Sequence, residues 1–271
     1  MRLPRFIQSS RNLPRLPDHL RIYAIGDIHG RADLLEPLLD QIETDIEFYP
    51  CAKAMLVFLG DYIDRGPRSR DVIDILLDCA RIHDTVFLKG NHEAFVQGFL
   101  ADPTLLHEWR QCGGFETLMS YGLKPSLNPD RDEQFALAEA FRQALPLQHL
   151  EFFDSLELSF SHRDFFFVHA GIRPGVPLKR QNEADLLWIR DEFLSCPEPF
   201  EKFIVHGHTP VYAPDIRSNR INIDTGAFAT DRLTAIAIEG RTVVPLADNR
   251  DWISRLSKIG ATRADELAFS I

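Results

Sequence analysis

Five short stretches of this 271-residue chain gather side chains that bind metal ions and move protons. They are Gly26-Asp-Ile-His-Gly30, Gly60-Asp-Tyr-Ile-Asp-Arg-Gly66, Gly90-Asn-His-Glu93, His169-Ala-Gly-Ile172 and His206-Gly-His-Thr-Pro210. Each sets Asp, Asn or His beside glycine at the end of an apolar run, where a tight turn can aim side chains at one point. Imidazole, carboxylate and carboxamide together suit Mn²⁺, Fe²⁺ or Zn²⁺ better than Ca²⁺, which prefers oxygen alone. The inventory suffices for two ions sharing a bridging carboxylate, a centre suited to in-line attack on phosphorus. Taken singly, each stretch reads as an ordinary turn, a surface ion pair or a satisfied buried histidine. Five of the ten histidines fall inside these stretches, and independent accidents do not explain that clustering.

The elements that must position them alternate. Ile22 to Ile25, Met55 to Leu59 and Thr85 to Leu88 read as strands. Between them, Leu34, Leu35, Leu38, Leu39, Ile42 and Ile46, then Val72, Ile73, Leu76, Leu77 and Ala80, recur at helical spacing. This βαβαβ opening places the polar stretches past strand ends, where open α/β sheets bind ligands. Residues 94–158 read as a helical excursion, with Trp109, Phe115, Leu118, Met119 and Tyr121 as packing residues. Strands return at Phe165 to Val168, Phe203 to Val205, Arg220 to Ile223, Leu233 to Ile238 and Thr242 to Leu246. The expected division is a basic arm over 1–20, a catalytic domain over 21–248 and a tail over 249–271 with a short helix.

Composition bounds the function. A chain 45% hydrophobic and 26% charged can bury a real core, which excludes disorder and disulfide-stapled miniproteins. The net charge of −10 argues against a general nucleic-acid binder, which needs a basic face. Residues 1–21 carry five Arg and one Asp, a local charge of +4. There is no run of apolar residues long enough to span a membrane and no secretory signal pattern. Four widely spaced cysteines without a CxxC pair read as reduced thiols of a cytoplasmic protein.

In their order, the five stretches resemble the phosphoprotein phosphatase family within the calcineurin-like metallophosphoesterases, in its bacterial serine/threonine phosphatase branch. Asn222-Ile-Asp-Thr-Gly-Ala227 and Leu233-Thr-Ala-Ile236 look like that family's C-terminal strands. The resemblance implies a four-layer α/β/β/α sandwich, two mixed sheets flanked by helices, with a dinuclear metal site at strand C-terminal ends. By the same resemblance Asp27 and His29 ligate the first ion, Asp61 bridges, and Asn91, His169 and His208 complete the second site. The ions implied are two divalent cations, Mn²⁺ first, with Fe²⁺ or Zn²⁺ as alternatives. His92 matches the general acid, paired with Asp64. Arg65, Arg190 and Asn91 match the phosphate-holding groups, Arg190 on the looser Leu187-Trp-Ile-Arg-Asp191 motif. His206 and Glu93 read as supporting residues.

The implied activity is phosphomonoester hydrolysis, with phosphoproteins as the expected substrates and a hydroxide between the ions attacking in line. The expected partner is a phosphorylated protein or small phosphoester, with no nucleic acid and no membrane; nothing in the sequence addresses oligomeric state. The rival within the fold is a symmetric dinucleoside tetraphosphate (diadenosine tetraphosphate) hydrolase. That related family typically lacks the second Asp of the Gly-Asp-x-x-Asp-Arg-Gly stretch and reads Gly-His-Trp, whereas Asp64 and Gly207-His-Thr-Pro210 are present here. A non-catalytic metal-binding scaffold is the rival of another class, and it would be signalled by loss of a ligand or of the acid.

Overall fold

The computed structural model describes residues 14–246 and the short strand Phe269–Ser270. The strands are β1 (Leu20–Ile25), β2 (Lys53–Phe58), β3 (Asp84–Phe87), β4 (Ser159–His162), β5 (Phe165–Val168), β6 (Phe203–His206), β7 (Asp215–Ile216), β8 (Arg220–Asn222), β9 (Ala235–Glu239), β10 (Thr242–Leu246) and β11 (Phe269–Ser270). They form two mixed sheets, ordered β11-β10-β9-β1-β2-β3 and β4-β5-β6-β8-β7. Strands β1, β2 and β3 run parallel, as do β5, β6 and β8, while β9 and β4 pair antiparallel to their neighbours.

Strand periodicity explains the layering. Ile22 and Ala24 face the second sheet, while Tyr23 and Ile25 face helices. The second sheet answers with Phe165, Phe167, Phe203 and Val205, so the two sheets share one apolar layer. Truncating a buried ring such as Phe167 to alanine would cost roughly 3–5 kcal/mol.

On the outer face of the first sheet lie α1 (Ala32–Phe48) and α2 (Ser69–Ile82). In α2, Val72, Ile73, Leu76 and Cys79 are the buried apolar residues, one stripe at helical spacing. The same layer takes in α3 (Asn91–Ala101), α4 (Leu106–Gln111), α5 (Gly114–Ser120), α6 (Arg131–Ala144) and α7 (Leu147–Ser155), which together make the helical excursion. Helix α6 starts at a reciprocal cap, the Glu133 amide donating to Asp130 and the Asp130 amide to Glu133, both at 2.9 Å. On the outer face of the second sheet, α8 (Glu183–Trp188) and α9 (Asp191–Leu194) pack Leu186 and Phe193 on Phe166, Val168 and Ile204. Helix α10 (Ala227–Thr230) is a single turn after β8.

Most expected strands appear with ends shifted by one or two residues. Strands β4 and β7 were not expected; both are short edge strands with a single large apolar residue each, Phe160 and Ile216. Leu16 is buried between the sheets, and its amide donates to Gly240 O. Residues 1–13 and the expected tail helix lie outside the described residues, apart from β11. All four cysteines are free thiols. Among the described residues no helix is long and apolar enough to cross a membrane.

Candidate active site

Every predicted ligand follows the C-terminal end of a strand: Asp27 and His29 follow β1, Asp61 follows β2, Asn91 follows β3, His169 follows β5 and His208 follows β6. The two sheets thus deliver their loops to one edge. Backbone hydrogen bonds tie those loops together, with the Ile28 and His29 amides donating to Asp61 O and the Gly207 amide to His169 O.

The turns are held in an uncommon conformation. His29, Asp61, Asp64, Arg65 and His208 have φ between 49° and 69°. Among the described non-glycine residues, Arg163 and Asp231 are the only others with positive φ. Left-handed backbone costs a side-chain-bearing residue roughly 1–2 kcal/mol, so its concentration here reflects chemistry rather than stability.

All six predicted ligands are buried. Asp61 stands at the middle, with Oδ2 3.5 Å from His29 Nε2 and Oδ1 3.4 Å from His169 Nε2. Each carboxylate oxygen therefore faces a different imidazole, the disposition a bridging ligand needs. His29 Nδ1 lies 2.9 Å from Ile63 O and His169 Nδ1 lies 2.9 Å from Leu59 O. A carbonyl only accepts, so both rings carry their proton on Nδ1 and turn the Nε2 lone pair toward the centre. His169 Nε2, His208 Nδ1 and Asn91 Oδ1 converge within 2.9–3.2 Å of one another.

The donor set fits divalent cations. His169 Nε2 and Asn91 Oδ1 are both lone-pair donors at 2.9 Å, a contact that a cation between them would relieve. Asp27 Oδ2 accepts from the His208 amide at 3.0 Å, but its Oδ1 is buried without a partner. Burial, then Asp224 and Asp61, raise the Asp27 carboxyl well above its ordinary range. Burial works the same way on Asp61, yet His169, His92, His29 and His208 outweigh it and hold that carboxyl below the usual range. Burial also keeps the imidazoles neutral, with His29 lowered to about 3 and His208 to about 2. Neutral imidazole and the lowered Asp61 carboxylate are in the state a metal requires, whereas Asp27 would release its proton on binding one. Glycine makes room for them, since a Cβ on Gly207 would lie 2.0 Å from Asp27 Oδ1 and one on Gly90 2.1 Å from Asp61 Oδ1.

Among the described residues, two groups each gather their donor atoms within 4.8 Å, His29–Asp61–His92 and Asp61–His169–His208. His92 falls in the first, but its Nδ1 is engaged with Asp64 Oδ2 at 2.7 Å. Its Nε2 points to the cleft, 3.7 Å from Asp61 Oδ2 and 3.3 Å from Arg65 Nη2. Burial would lower the His92 imidazole, but Asp61 and Asp64 overcome this and raise it. Arg190, on the exposed side, donates from Nε to His208 Nε2 at 3.1 Å. Both predicted phosphate-holding arginines thus border the cluster.

Glu93 is a brace. Its carboxylate accepts from the amides of Asp61 (2.9 Å), Tyr62 (2.8 Å) and Gly90 (2.9 Å), joining the β2 and β3 loops. His206 packs edge-on against Phe193, away from the ligand cluster.

Sequence reasoning missed four residues. Asp64 accepts from Trp109 Nε1 at 2.8 Å and from Thr117 Oγ1 at 2.5 Å, so the helical excursion holds the His92 partner and does more than pack. Asp224, buried past β8, is pushed up to about 6 by burial, with Asp61 adding to the rise. Its pattern, Asp near Gly after an apolar strand, matches the other stretches and could have revealed it. Phe228 lies under Arg65, with Cζ 4.5 Å from the ring centroid, and no local pattern marks it.

Comparison with known proteins agrees with this geometry. Two curated relatives are named bis(5'-nucleosyl)-tetraphosphatase PrpE [asymmetrical]. The one from Oceanobacillus iheyensis is 25% identical over 252 residues, 87% of this chain and 95% of the relative. The one from Halalkalibacterium halodurans is 28% identical over 251 residues, 85% and 95% of the two chains. Among solved structures, a protein named provisionally as a diadenosine tetraphosphatase aligns with a TM-score of 0.60 at 19% identity, covering 88% of this chain and 99% of that one. A cold-active protein-tyrosine phosphatase from a psychrophilic Shewanella aligns at 0.52 and 16% identity, covering 91% and 84%. These structural likenesses speak for the fold alone. The family model described as calcineurin-like phosphoesterase matches residues 20–234, a span that takes in every strand bearing a predicted ligand. Two sheets that deliver buried His, Asp and Asn to one edge, and a family match over that same span, place this chain in the calcineurin-like metallophosphoesterases.

Proposed function

We propose that the chain hydrolyses phosphomonoesters with a poor leaving group, phosphoproteins foremost, using His92 as general acid. The supporting observation is the His92–Asp64 pair. Asp64 accepts from Nδ1 and leaves Nε2 turned toward Asp61, where the raised imidazole carries a proton to give when the ring is in its charged form. A departing alkoxide needs that proton, whereas a departing nucleotide is already a stable anion and gains little from it. Asp27, His29, Asp61, Asn91, His169 and His208 would hold two divalent ions, Mn²⁺ first. Bound there, such ions supply Lewis acidity and a nucleophile at neutral pH. Arg65 and Arg190 hold phosphoryl oxygens and offset the charge of the transition state.

A second reading is hydrolysis of dinucleoside tetraphosphates. Its support is the name shared by the curated relatives, which match 85% or more of this chain. That name specifies asymmetrical cleavage, which differs from the symmetric reaction of the rival expected from the sequence. A competition assay on Mn²⁺-reconstituted protein separates the readings. Faster phosphate release from phosphoserine and phosphotyrosine peptides than nucleotide release from diadenosine tetraphosphate supports the first. The reverse order assigns the chain to the second, and the nucleotide products then report the cleavage position.

A further inference from the structure

Aromatic rings stand at both ends of the buried centre. Phe228, on α10, lies edge-on to His29 at 5.4 Å between centroids and beneath the Arg65 guanidinium. Trp188, the last residue of α8, lies edge-on to His208 at 6.3 Å and to Phe95 at 5.7 Å. His29 and His208 belong to different donor groups, so one ring borders each half of the centre.

These rings differ from those of the core. Trp109, Phe165 and Phe193 are fully buried, whereas Phe228 remains 38% and Trp188 45% exposed. Leu186, Leu187 and Ile189 turn inward around Trp188, so the indole alone of this segment is presented to solvent. An apolar ring left open to water beside a polar, metal-binding cluster forgoes burial, and a ligand that covers it recovers that loss.

We infer that Phe228 and Trp188 each offer an aromatic surface, one beside either half of the centre, to a planar ring carried by the substrate. The inference rests on the phosphoester-hydrolase reading and narrows it to substrates with such a ring. A flat π-surface can lie against an exposed aromatic face, whereas an aliphatic group has no face to offer. The phenol ring of a tyrosyl phosphate and the base of a nucleotide share this chemistry.

The test is calorimetric binding to the Mn²⁺-loaded full chain, with non-hydrolysable ligands in ringed and ringless pairs. Phenylphosphonate is paired with methylphosphonate, and the phosphonate analogue of AMP with that of ribose 5-phosphate. The subsite requires the ringed member of at least one pair to bind about tenfold tighter, as expected for a single stacked ring. That ratio should fall toward one in Trp188→Leu or in Phe228→Leu, whichever ring the substrate covers, and persist in Trp188→Phe, which keeps a ring. The pair that shows the preference identifies a phenol or a base as the source. Equal binding within both pairs overturns the inference, as does a ratio that survives both leucine variants. Turnover of phosphopeptides and diadenosine tetraphosphate is followed in parallel. Ring-selective binding without any hydrolysis would sink the hydrolase reading and leave the subsite standing. Brisk hydrolysis without ring selectivity would do the opposite.

Discussion

Trp109 Nε1 donates to Asp64 Oδ2 across 2.8 Å, reaching from the helical excursion to the carboxylate that anchors His92. Asp64 is completely buried, and Thr117 Oγ1 serves its other oxygen at 2.5 Å. A buried carboxylate with each oxygen engaged cannot rotate, so the orientation of His92 depends on residues 45 and 53 positions away from Asp64.

Trp109→Phe keeps most of the ring and removes the donor. The variant should lose roughly 1–3 kcal/mol of stability, because a buried carboxylate oxygen gives up a partner. Its kcat should fall more on an alkyl phosphate than on an aryl phosphate, with KM little changed. Urea unfolding and the two rate constants check both parts; equal losses on both esters would leave Trp109 a packing residue.

Asp61→Asn and His92→Asn should fail differently. Removing the Asp61 charge should strip most bound Mn²⁺, since this carboxylate faces both imidazole groups. His92→Asn should retain metal and lose turnover, by roughly 10²–10⁴-fold for a basic leaving oxygen. Metal content by elemental analysis, set beside kcat, distinguishes them. A His92→Asn variant with full rate on an alkyl phosphate would refute the acid assignment.

Gly207→Ala should act as a ligand mutation without touching a ligand. The added Cβ would lie 2.0 Å from Asp27 Oδ1, so the loop or the carboxylate must move. Mn²⁺ affinity measured by calorimetry should drop at least tenfold, the scale associated with displaced supporting groups. Unchanged affinity would show that Asp27 is dispensable to metal binding.

His149 gives the fold a pH dependence remote from the metal centre. It is fully buried, with Nδ1 2.8 Å from Tyr121 Oη and Nε2 3.0 Å from Asp74 Oδ1. Burial lowers its imidazole below the ordinary value of 6.5, against the opposing pull of Asp74 and with a smaller lowering by Arg70. In the unfolded chain the ring takes up a proton as pH falls through 6.5, and the folded state resists that uptake. Its contribution is therefore present above pH 6.5 and lost as pH falls below it toward the lower folded value. Between pH 7.5 and 5.5, wild-type Tm should fall more than that of His149→Gln; parallel curves would show that His149 does not titrate between the two states.

Much of the site was legible because its signals are local. An apolar strand followed by Asp, Asn or His beside glycine is a short-range pattern, and Asp27, Asp61, Asn91, His169 and His208 all follow strand ends as expected. Asp224 carries the same pattern, but the resemblance of residues 222–227 implied a strand there and no role for its carboxylate. The edge strands β4 and β7 were missed because little in their residues distinguishes an edge strand from a loop.

The sequence by itself determined the alternation of strands and helices and the apolar face of each, since period-two and helical spacing decide which side is buried, while the four-layer order and the candidate ligands were implied by the family resemblance. Tertiary structure alone decided which distant groups meet. That Trp109 and Thr117 would hold Asp64, that Glu93 would gather three amides, and that Phe228 would lie beneath Arg65 follows from how the loops and helices pack. Such contacts are set by the mutual placement of elements far apart in the chain, and no local periodicity encodes that placement.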